Sequence, residues 1–181
     1  MFISGGEEKG RRIKAPSSKD IRPTSHMLKE AIFEIIKERI KGASFLDLFA
    51  GFGSIGIEAL SRGADYTLFV DKNKHAISII YENISTAKVK DKCNILVSDS
   101  IAALEKRIKQ KFDLIYIDPP YDYKYYGEVL KTIAEKETLS AEGLIIVEHY
   151  HKTEMNLPLK PLIISRREKY GQTAVTFIKW S

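Results

Sequence analysis

The chain has 181 residues, of which 44% are hydrophobic and 29% charged, and these values are typical of one globular domain with a continuous core. The lone cysteine, Cys93, excludes an internal disulfide, and the sequence has no Cys/His cluster with metal-ligand spacing. No apolar run approaches the roughly 20 residues of a membrane span. We therefore expect a cytoplasmic, metal-free, monomeric protein with one domain over residues 1–181, divided into an N-terminal basic arm at 1–23 and a core at 24–181.

The arm carries much of the excess positive charge of a chain whose net charge is +5. Glycine, serine and two prolines predict an irregular or hairpin-like segment there. Such a charge run is compatible both with a solvated face and with nucleic-acid contact, so it leaves the partner open. Its basic residues are Lys9, Arg11, Arg12, Lys14, Lys19 and Arg22, against Asp20 within the run and Glu7 and Glu8 before it.

Helices and strands alternate after the arm. Apolar residues at three- and four-residue steps predict a first helix that begins after Thr24, a plausible N-cap, and ends at Gly42. Five apolar strands separated by helices predict a mostly parallel, doubly wound α/β sheet covered on both faces. The last two β-rich runs have no helix between them and predict an antiparallel hairpin on the sheet edge. The predicted parallel strands are 45–49, 66–70, 94–97, 112–117 and 144–147, the hairpin strands 162–165 and 173–178, and the later helices 55–60, 76–87, 101–108 and 126–133.

A complete G-x-G-x-x-G, formed by Gly51, Gly53 and Gly56, follows the first strand, and Asp71 lies 20 residues after Gly51. This spacing permits NAD. However, Asp47 is expected to place a carboxylate at the mouth of the turn, where it would repel a pyrophosphate and attract a cation, and the chain has no room for a second substrate domain.

Acidic residues follow four successive strands, and parallel strands present their carboxyl ends at one edge of the sheet, where open α/β sheets bind ligands. S-adenosylmethionine carries an ammonium, a sulfonium, a ribose diol and an adenine amine, which suit such a series. For one of the four, Asp99, capping of the following helix is an equally good explanation. The four are Asp47, Asp71, Asp99 and Asp118.

The tetrapeptide Asp118-Pro119-Pro120-Tyr121 ends the fourth strand. A carboxylate and proline carbonyls offer acceptors to an amine, and a tyrosine offers a flat surface to a planar base. The pattern is typical of a site for an amino group on a base, although prolines also simply terminate strands.

Further segments complete a pattern that spans nearly the whole chain. They are Gly5-Gly6, Gly10-Arg11, Arg22-Pro23-Thr24, Lys29-Glu30-Ala31-Ile32-Phe33, Phe45-Leu46-Asp47-Leu48-Phe49-Ala50-Gly51, Gly56-Ile57-Glu58-Ala59-Leu60-Ser61-Arg62-Gly63-Ala64, Val147-Glu148 and Tyr170-Gly171-Gln172-Thr173.

Together with Asp118-Pro119-Pro120-Tyr121, these segments resemble the class I, Rossmann-like S-adenosylmethionine-dependent methyltransferases, and more narrowly the RsmD family of bacterial small-subunit (16S) rRNA guanine-N2 methyltransferases. The chain differs from the family pattern at Glu7-Glu8 and at His26-Met27. The resemblance implies that Asp118 and a proline carbonyl accept the two amine hydrogens of a guanine and that Tyr121 stacks on the flipped base. It also implies a cofactor site that includes Arg22, Thr24, Asp47, Gly51, Gly53, Gly56, Asp71 and Asp99.

The expected partner is ribosomal RNA within an assembling small subunit, bound through Lys9, Arg11, Arg12 and Lys14. Three alternatives remain open: N6-adenine methylation of RNA or DNA, glutamine N5 methylation, and a non-catalytic RNA-binding module. A dehydrogenase is the remaining competitor. The sequence has no target-recognition insertion of the kind that adenine methylation of DNA usually needs.

Overall fold

A computed structural model of the chain describes residues 1–15, 26–120, 122–153 and 160–181. The strands occupy the positions that the sequence predicts, with different ends. In chain order the elements are α1 His26–Ile35, α2 Lys37–Ile40, β1 Ser44–Asp47, α3 Ser54–Ser61, β2 Tyr66–Asp71, α4 Lys74–Thr86, a 3₁₀ turn Lys90–Lys92, β3 Cys93–Val97, the short α5 Ser100–Ala102, a π turn Ala103–Arg107, β4 Phe112–Ile117, α6 Tyr126–Glu135, β5 Leu139–Tyr150, β6 Leu162–Tyr170 and β7 Thr173–Trp180.

The described strands form a seven-stranded sheet in the order β3-β2-β1-β4-β5-β7-β6. The first five strands are parallel, whereas β7 is antiparallel to both β5 and β6. The predicted doubly wound sheet with a C-terminal antiparallel hairpin is therefore confirmed. Because β1 and β4 are neighbours although β2 and β3 lie between them in the chain, the strand order reverses there, and doubly wound folds bind ligands at the carboxyl ends of such strands.

Each face of the sheet packs against its own hydrophobic cluster, because strand side chains alternate between faces. The first face carries Phe45, Phe69 and Tyr116 and is covered by α1 to α4. The second face carries Leu46 and Ile117 and is covered by the π turn and α6. All five of these side chains are almost completely buried, so the strands are held on both sides and their carboxyl ends are fixed in place.

The described part of the N-terminal arm, residues 1–15, is a small hairpin. Phe2 and Arg12 form an antiparallel bridge, and the Ile3 N–H donates to Arg11 O at 3.0 Å. Ile3 and Ile13 are each only 2% exposed and join the first cluster. The hairpin-like prediction is confirmed for this segment. Residues 16–25 lie outside the described residues. They include Lys19, Arg22 and Thr24, for which the sequence predicts roles in the arm, the cofactor site and the helix N-cap.

A buried ionic network attaches the arm to α1 and α3. The Lys29 Nζ of α1 lies 2.7 Å from Glu58 Oε2 of α3, and both side chains are at most 1% exposed. Glu58 also accepts hydrogen bonds from the backbone N–H groups of Ser4 and Gly5 and from Arg62 Nε, at 2.7 to 2.9 Å. Burial opposes ionisation of Glu58, but these donors outweigh it and hold its pKa below the usual value. The carboxylate therefore holds the arm in position.

Two helices differ from the prediction. The first helix is interrupted at Ile36, where the Arg39 N–H bonds to Ile36 O three residues back, and it ends at Ile40. The predicted helix at 101–108 is mostly a π turn, in which Ile108 N–H bonds to Ala103 O, five residues back. Among the described residues, no helix has the length and apolar character needed to cross a membrane.

Candidate active site

The four predicted acids lie at the carboxyl ends of four parallel strands. Asp47 ends β1 and Asp71 ends β2, Asp99 follows β3 by two residues, and Asp118 is the first residue after β4. Since β1 lies between β2 and β4, the sheet brings these positions to one edge at the point where the strand order reverses. The structure therefore gathers the residues that the sequence places apart.

The glycine loop between β1 and α3 is open on its outer side. Gly51 has φ +54°, and a Cβ built on it would meet no atom within 4 Å, so the loop is a cradle that a ligand could approach closely. The Gly51 N–H donates to Asp71 Oδ2 at 2.8 Å. The two residues, which lie 20 positions apart in the sequence, are therefore in direct contact. Gly53, with φ +82°, is the N-cap of α3.

Asp47 lies beneath the glycine loop and not at its mouth, where the sequence argument against NAD placed it. It is 2% exposed, and its Oδ2 accepts the Gly56 N–H at 3.0 Å. Burial raises the pKa of Asp47 to about 7, although the Gly56 hydrogen bond opposes the shift, and the nearby Asp71 carboxylate adds to it. A cation placed above the loop would favour the ionised form of Asp47.

Gly56 differs from the other two glycines because it lies inside α3. A Cβ there would come within 2.3 Å of the Phe69 ring and 2.8 Å of Thr67 Cγ2. Only glycine allows α3 to pack this closely on β2. The contacts of Gly56 are therefore with the sheet and with Asp47.

Asp71 and Asp99 organise the chain at their own strand ends. Asp71 Oδ1 accepts the Asn73 N–H at 2.8 Å, in addition to its bond with Gly51. Asp99 Oδ1 accepts the Ile101 N–H at 3.0 Å, which confirms the capping explanation for this residue. A carboxylate has about four lone-pair positions, so capping and ligand contact are compatible.

The segment after β4 begins with Asp118, which is partly exposed, followed by buried Pro119 and exposed Pro120. The Pro120 carbonyl accepts the Tyr123 N–H at 2.9 Å, which closes a turn. Asp118 is thus presented to the edge by a rigid segment. Tyr121, the predicted stacking residue, lies outside the described residues.

An aromatic cluster extends from this turn. Tyr123 contacts the rings of Phe49, Tyr125 and Tyr126 edge to face, with centroids 5.2 to 5.6 Å apart. Tyr126 is 8% exposed and belongs to the second cluster, so it is a core residue, whereas Tyr125 is 60% exposed. Burial raises the pKa of the Tyr126 hydroxyl, and the carboxylates of Asp118 and Glu148 add to this effect.

A tyrosine and glutamate pair lies beside Asp118 and did not figure among the predicted site residues. The Tyr116 hydroxyl of β4 donates to Glu148 Oε2 of β5 at 2.6 Å, the length of a strong, charge-assisted hydrogen bond. Tyr116 is 1% exposed, while Glu148 is only partly buried at the carboxyl edge. In the sequence, the signal for Glu148 was its position as an acidic residue at the end of an otherwise apolar strand.

A second residue that sequence reasoning missed is Asn83 of α4. Its side chain bonds both the N–H and the carbonyl of Lys14 and also donates to Phe52 O in the glycine loop, at 2.8 to 3.0 Å. Asn83 therefore connects the arm to the glycine loop. In the sequence, the signal for Asn83 was its position as a polar residue on the apolar face of the predicted helix.

The predicted RNA-facing residues are all on the described hairpin, but they are not equivalent. Arg11 forms an ion pair with Glu8 and also donates to Thr86 O at 3.0 Å, and Lys14 pairs with Glu82. Lys9 and Arg12 are exposed.

Cys93 and His149 are two further side chains with reactive groups. Burial raises the pKa of the Cys93 thiol to about 11, which disfavours a nucleophilic thiolate. His149 bonds Thr176 Oγ1 at 2.9 Å, and burial lowers its pKa. Within the described part of the chain, no group of three or more His, Cys, Asp or Glu residues could hold a metal.

Comparison with known proteins places this arrangement in context. Residues 1–179 match the family model described as Conserved hypothetical protein 95. YlbH of Bacillus subtilis is 36% identical over 181 residues, which cover 99% of this chain and 98% of that protein. Ribosomal RNA small subunit methyltransferase D of Escherichia coli K12 is 30% identical over 174 residues, covering 95% and 86% of the two chains.

The solved structure of YhhF from Escherichia coli has the same fold, with a TM-score of 0.89 at 24% identity, and covers 100% of this chain and 98% of that chain. That protein is named as a methyltransferase. The predicted class I, Rossmann-like fold is confirmed.

Proposed function

Because the chain belongs to the RsmD family of S-adenosylmethionine-dependent methyltransferases, we propose that it methylates the exocyclic N2 amine of a guanine in small-subunit rRNA. The observation that carries this proposal is the placement of Asp118 and its proline segment beside the glycine loop, at the β1 and β4 strand ends. Membership of this family confirms the predicted cofactor, S-adenosylmethionine.

The residues present fit S-adenosylmethionine. When bound, this cofactor supplies an electrophilic methyl group on a sulfonium. The open side of Gly51 would admit its amino acid part, Asp71 would accept the ribose hydroxyls, and Asp99 the adenine amine. Asp47 would neutralise positive charge from beneath the loop. Of the other predicted cofactor residues, Gly53 shapes the turn and Gly56 allows α3 to approach the sheet.

The acceptors after β4 would prepare the amine for attack. The lone pair of the guanine N2 amine is delocalised into the ring, and two acceptors for its hydrogens would direct that lone pair towards the methyl group. We assign these acceptors to the Asp118 carboxylate and the Pro119 carbonyl, because the Pro120 carbonyl already accepts the Tyr123 N–H. Positioning and fixed electrostatics of this kind account for much of the rate enhancement in many enzymes.

Transfer would join the N2 lone pair to the methyl carbon, with the electron pair of the broken sulfur–carbon bond left on the departing thioether, and N2 would then lose one proton to water. Tyr121 would stack on the base once the base has left its helix or loop. No covalent enzyme intermediate is needed.

The RNA surface is assigned to the arm, with ribosomal RNA in an assembling small subunit as the partner of a monomeric, cytoplasmic enzyme. We expect the double change Lys9→Ala and Arg12→Ala to weaken binding and to reduce the slope of log affinity against log salt by about 1 to 2. Arg11 and Lys14 are already paired with carboxylates of the protein, so the double change Arg11→Ala and Lys14→Ala should weaken RNA binding less. Filter binding over a range of salt concentrations measures the affinity and the salt dependence of each double variant. Equal losses of affinity in the two double variants would contradict the greater importance of Lys9 and Arg12.

The buried Asp47 predicts a pH dependence of cofactor affinity. Its pKa of about 7 in the free protein means that the carboxyl is partly protonated at neutral pH, and a bound cation must drive off that proton. We therefore expect affinity for S-adenosylmethionine to fall as the pH decreases from about 8 to about 6. Calorimetric titration at several pH values measures this affinity. Asp47→Asn should bind more weakly at high pH and lose this dependence, and an unaltered dependence in that variant would contradict the role.

The function is tested by transfer of a labelled methyl group to small-subunit rRNA from cells that lack the native modification. We expect incorporation into this RNA, free or assembled with ribosomal proteins, and none into fully modified RNA. A methyl group found only on protein would favour glutamine methylation. Binding of NAD in place of S-adenosylmethionine would favour a dehydrogenase.

A further inference from the structure

We propose that Glu148, held by Tyr116, accepts the N1–H of the target guanine and so selects guanine against bases whose N1 carries no hydrogen. The inference rests on the proposed function, whose assigned acceptors engage only the two hydrogens of the N2 amine. The neighbouring donor on the same edge of guanine, N1–H, would enter the pocket without a partner, and leaving a buried donor unsatisfied is costly. A second acceptor is therefore needed next to Asp118.

The strand register places Glu148 beside Asp118. Ile117 of β4 pairs with Val147 of β5, and the next residues along the two strands are Asp118 and Glu148. Adjacent strands lie about 4.8 Å apart, so the two acids occupy neighbouring positions on the carboxyl edge. The carboxylates of both act on the hydroxyl of Tyr126, which is an independent sign that they share one region.

The alternation of side chains points the two acids the same way. Ile117 and Val147 belong to the second cluster, whereas Tyr116 and Ile146 belong to the first. Glu148 contacts the Tyr116 hydroxyl and therefore lies on the first face. Continuation of the same alternation carries Asp118 to that face, on which Asp47 also lies, since Asp47 pairs with Tyr116 in the register of β1 and β4.

The bond from Tyr116 is suited to orient a ligand-binding carboxylate. It engages Oε2 at 2.6 Å, and since a carboxylate offers about four lone-pair positions, acceptance from Tyr116 does not saturate it. The Tyr116 side chain is immobilised in the core at 1% exposure. Tyr116 is thus a positioning residue, and Glu148 is the group that would touch the base.

The recognition has a clear chemical consequence. Guanine presents a donor at N1, whereas adenine and 2-aminopurine present a lone pair there, which a carboxylate would repel. 2-Aminopurine keeps the reacting N2 amine but lacks both N1–H and the O6 carbonyl, so the N1 contact is isolated by comparing the preference of the Glu148 variant with that of the unaltered protein. An enzyme built to bond a substrate hydrogen rejects the analogue that lacks it far more strongly than shape alone allows.

The test compares methyl transfer to two versions of a small-subunit rRNA fragment, one with guanine and one with 2-aminopurine at the target position. We expect the unaltered protein to prefer guanine by at least about 100-fold in kcat/KM. Glu148→Gln should reduce transfer to guanine and narrow the preference by about 10- to 100-fold, because the amide can donate to the 2-aminopurine N1. Tyr116→Phe should narrow the preference for guanine to a smaller extent. Glu137→Gln, an exposed change near the opposite edge, should leave the preference unaltered.

The ratio also protects the test against misfolding, since a partly folded variant loses both activities equally. Equal use of the two RNAs by the unaltered protein, or an unchanged ratio in Glu148→Gln, would overturn the role of Glu148 and leave the proposed function standing. Absence of transfer to the guanine RNA by the unaltered protein would overturn the proposed function, and this inference with it.

Discussion

Replacement of Asp118 by alanine is expected to reduce the rate of methyl transfer by about 100- to 1000-fold or more, in line with the loss of one preorganised group that acts on the reacting atoms. Affinity for S-adenosylmethionine should be largely retained, because the contacts assigned to the cofactor come from the glycine loop, Asp71 and Asp99. Single-turnover kinetics and calorimetric titration separate the two quantities.

Two further variants sharpen this result. Asp118→Asn keeps an amide oxygen that can accept one amine hydrogen, so it should retain more activity than the alanine variant. Asp122→Ala removes an exposed carboxylate in the same turn and should have little effect. Full activity of Asp118→Ala would refute the assigned mechanism, and a parallel loss of cofactor affinity would move Asp118 into the cofactor site.

The second large effect is expected on stability, from the buried pair between Lys29 and Glu58. Lys29→Met removes the charge but keeps much of the volume, and it leaves a carboxylate with no exposed surface short of its nearest cation. We expect the free energy of unfolding to fall by about 3 kcal/mol or more, measured by urea denaturation at neutral pH. The docked arm should loosen as well, because the same carboxylate binds the N–H groups of Ser4 and Gly5.

Controls distinguish the buried charge from a general effect of losing a lysine. The double variant Lys29→Met, Glu58→Gln should recover part of the loss, since no unpaired charge remains. Lys131→Met breaks an exposed pair with Glu135 and should change stability little. Because the pKa of Glu58 is lowered in the folded protein, its contribution is present above the ordinary value of 4.5 and is lost as the pH falls through the folded value. Equal stability of Lys29→Met and the unaltered protein would contradict this account.

The sheet was predictable from the sequence because its signals are local. Each parallel strand is an apolar run that ends in or near an acid, and the helix between β1 and β2 begins at a glycine turn. The same locality explains an error at β5, which runs from Leu139 to Tyr150. The predicted strand, 144–147, omits the first residues of β5, in which Leu139 pairs with Phe112 before the register shifts ahead of Leu114. That pairing depends on a neighbouring strand.

The candidate site was predictable in part for the same reason. The order of the strands follows from the fold class, so the sequence could place Asp47, Asp71, Asp99 and Asp118 on one edge. It could not show that Asp47 lies beneath the loop, because that depends on the close packing of Gly56 on Phe69.

The contacts that attach the arm were also missed. Glu58 and Asn83 reach residues 53 to 69 positions away in the chain, and no local pattern encodes such a distance. Tyr116 and Glu148, on neighbouring strands, are 32 positions apart. Charged or polar residues on otherwise apolar elements were the trace that they left in the sequence.

The most direct test of the central claim is the identity of the methylated nucleoside. Small-subunit rRNA lacking the native modification is incubated with the protein and labelled S-adenosylmethionine, digested to nucleosides and separated with mass detection. The account predicts that the label appears in N2-methylguanosine and that Asp118→Ala reduces the rate at which this product forms by at least about 100-fold. Label in N6-methyladenosine, in another nucleoside, or in none would contradict it.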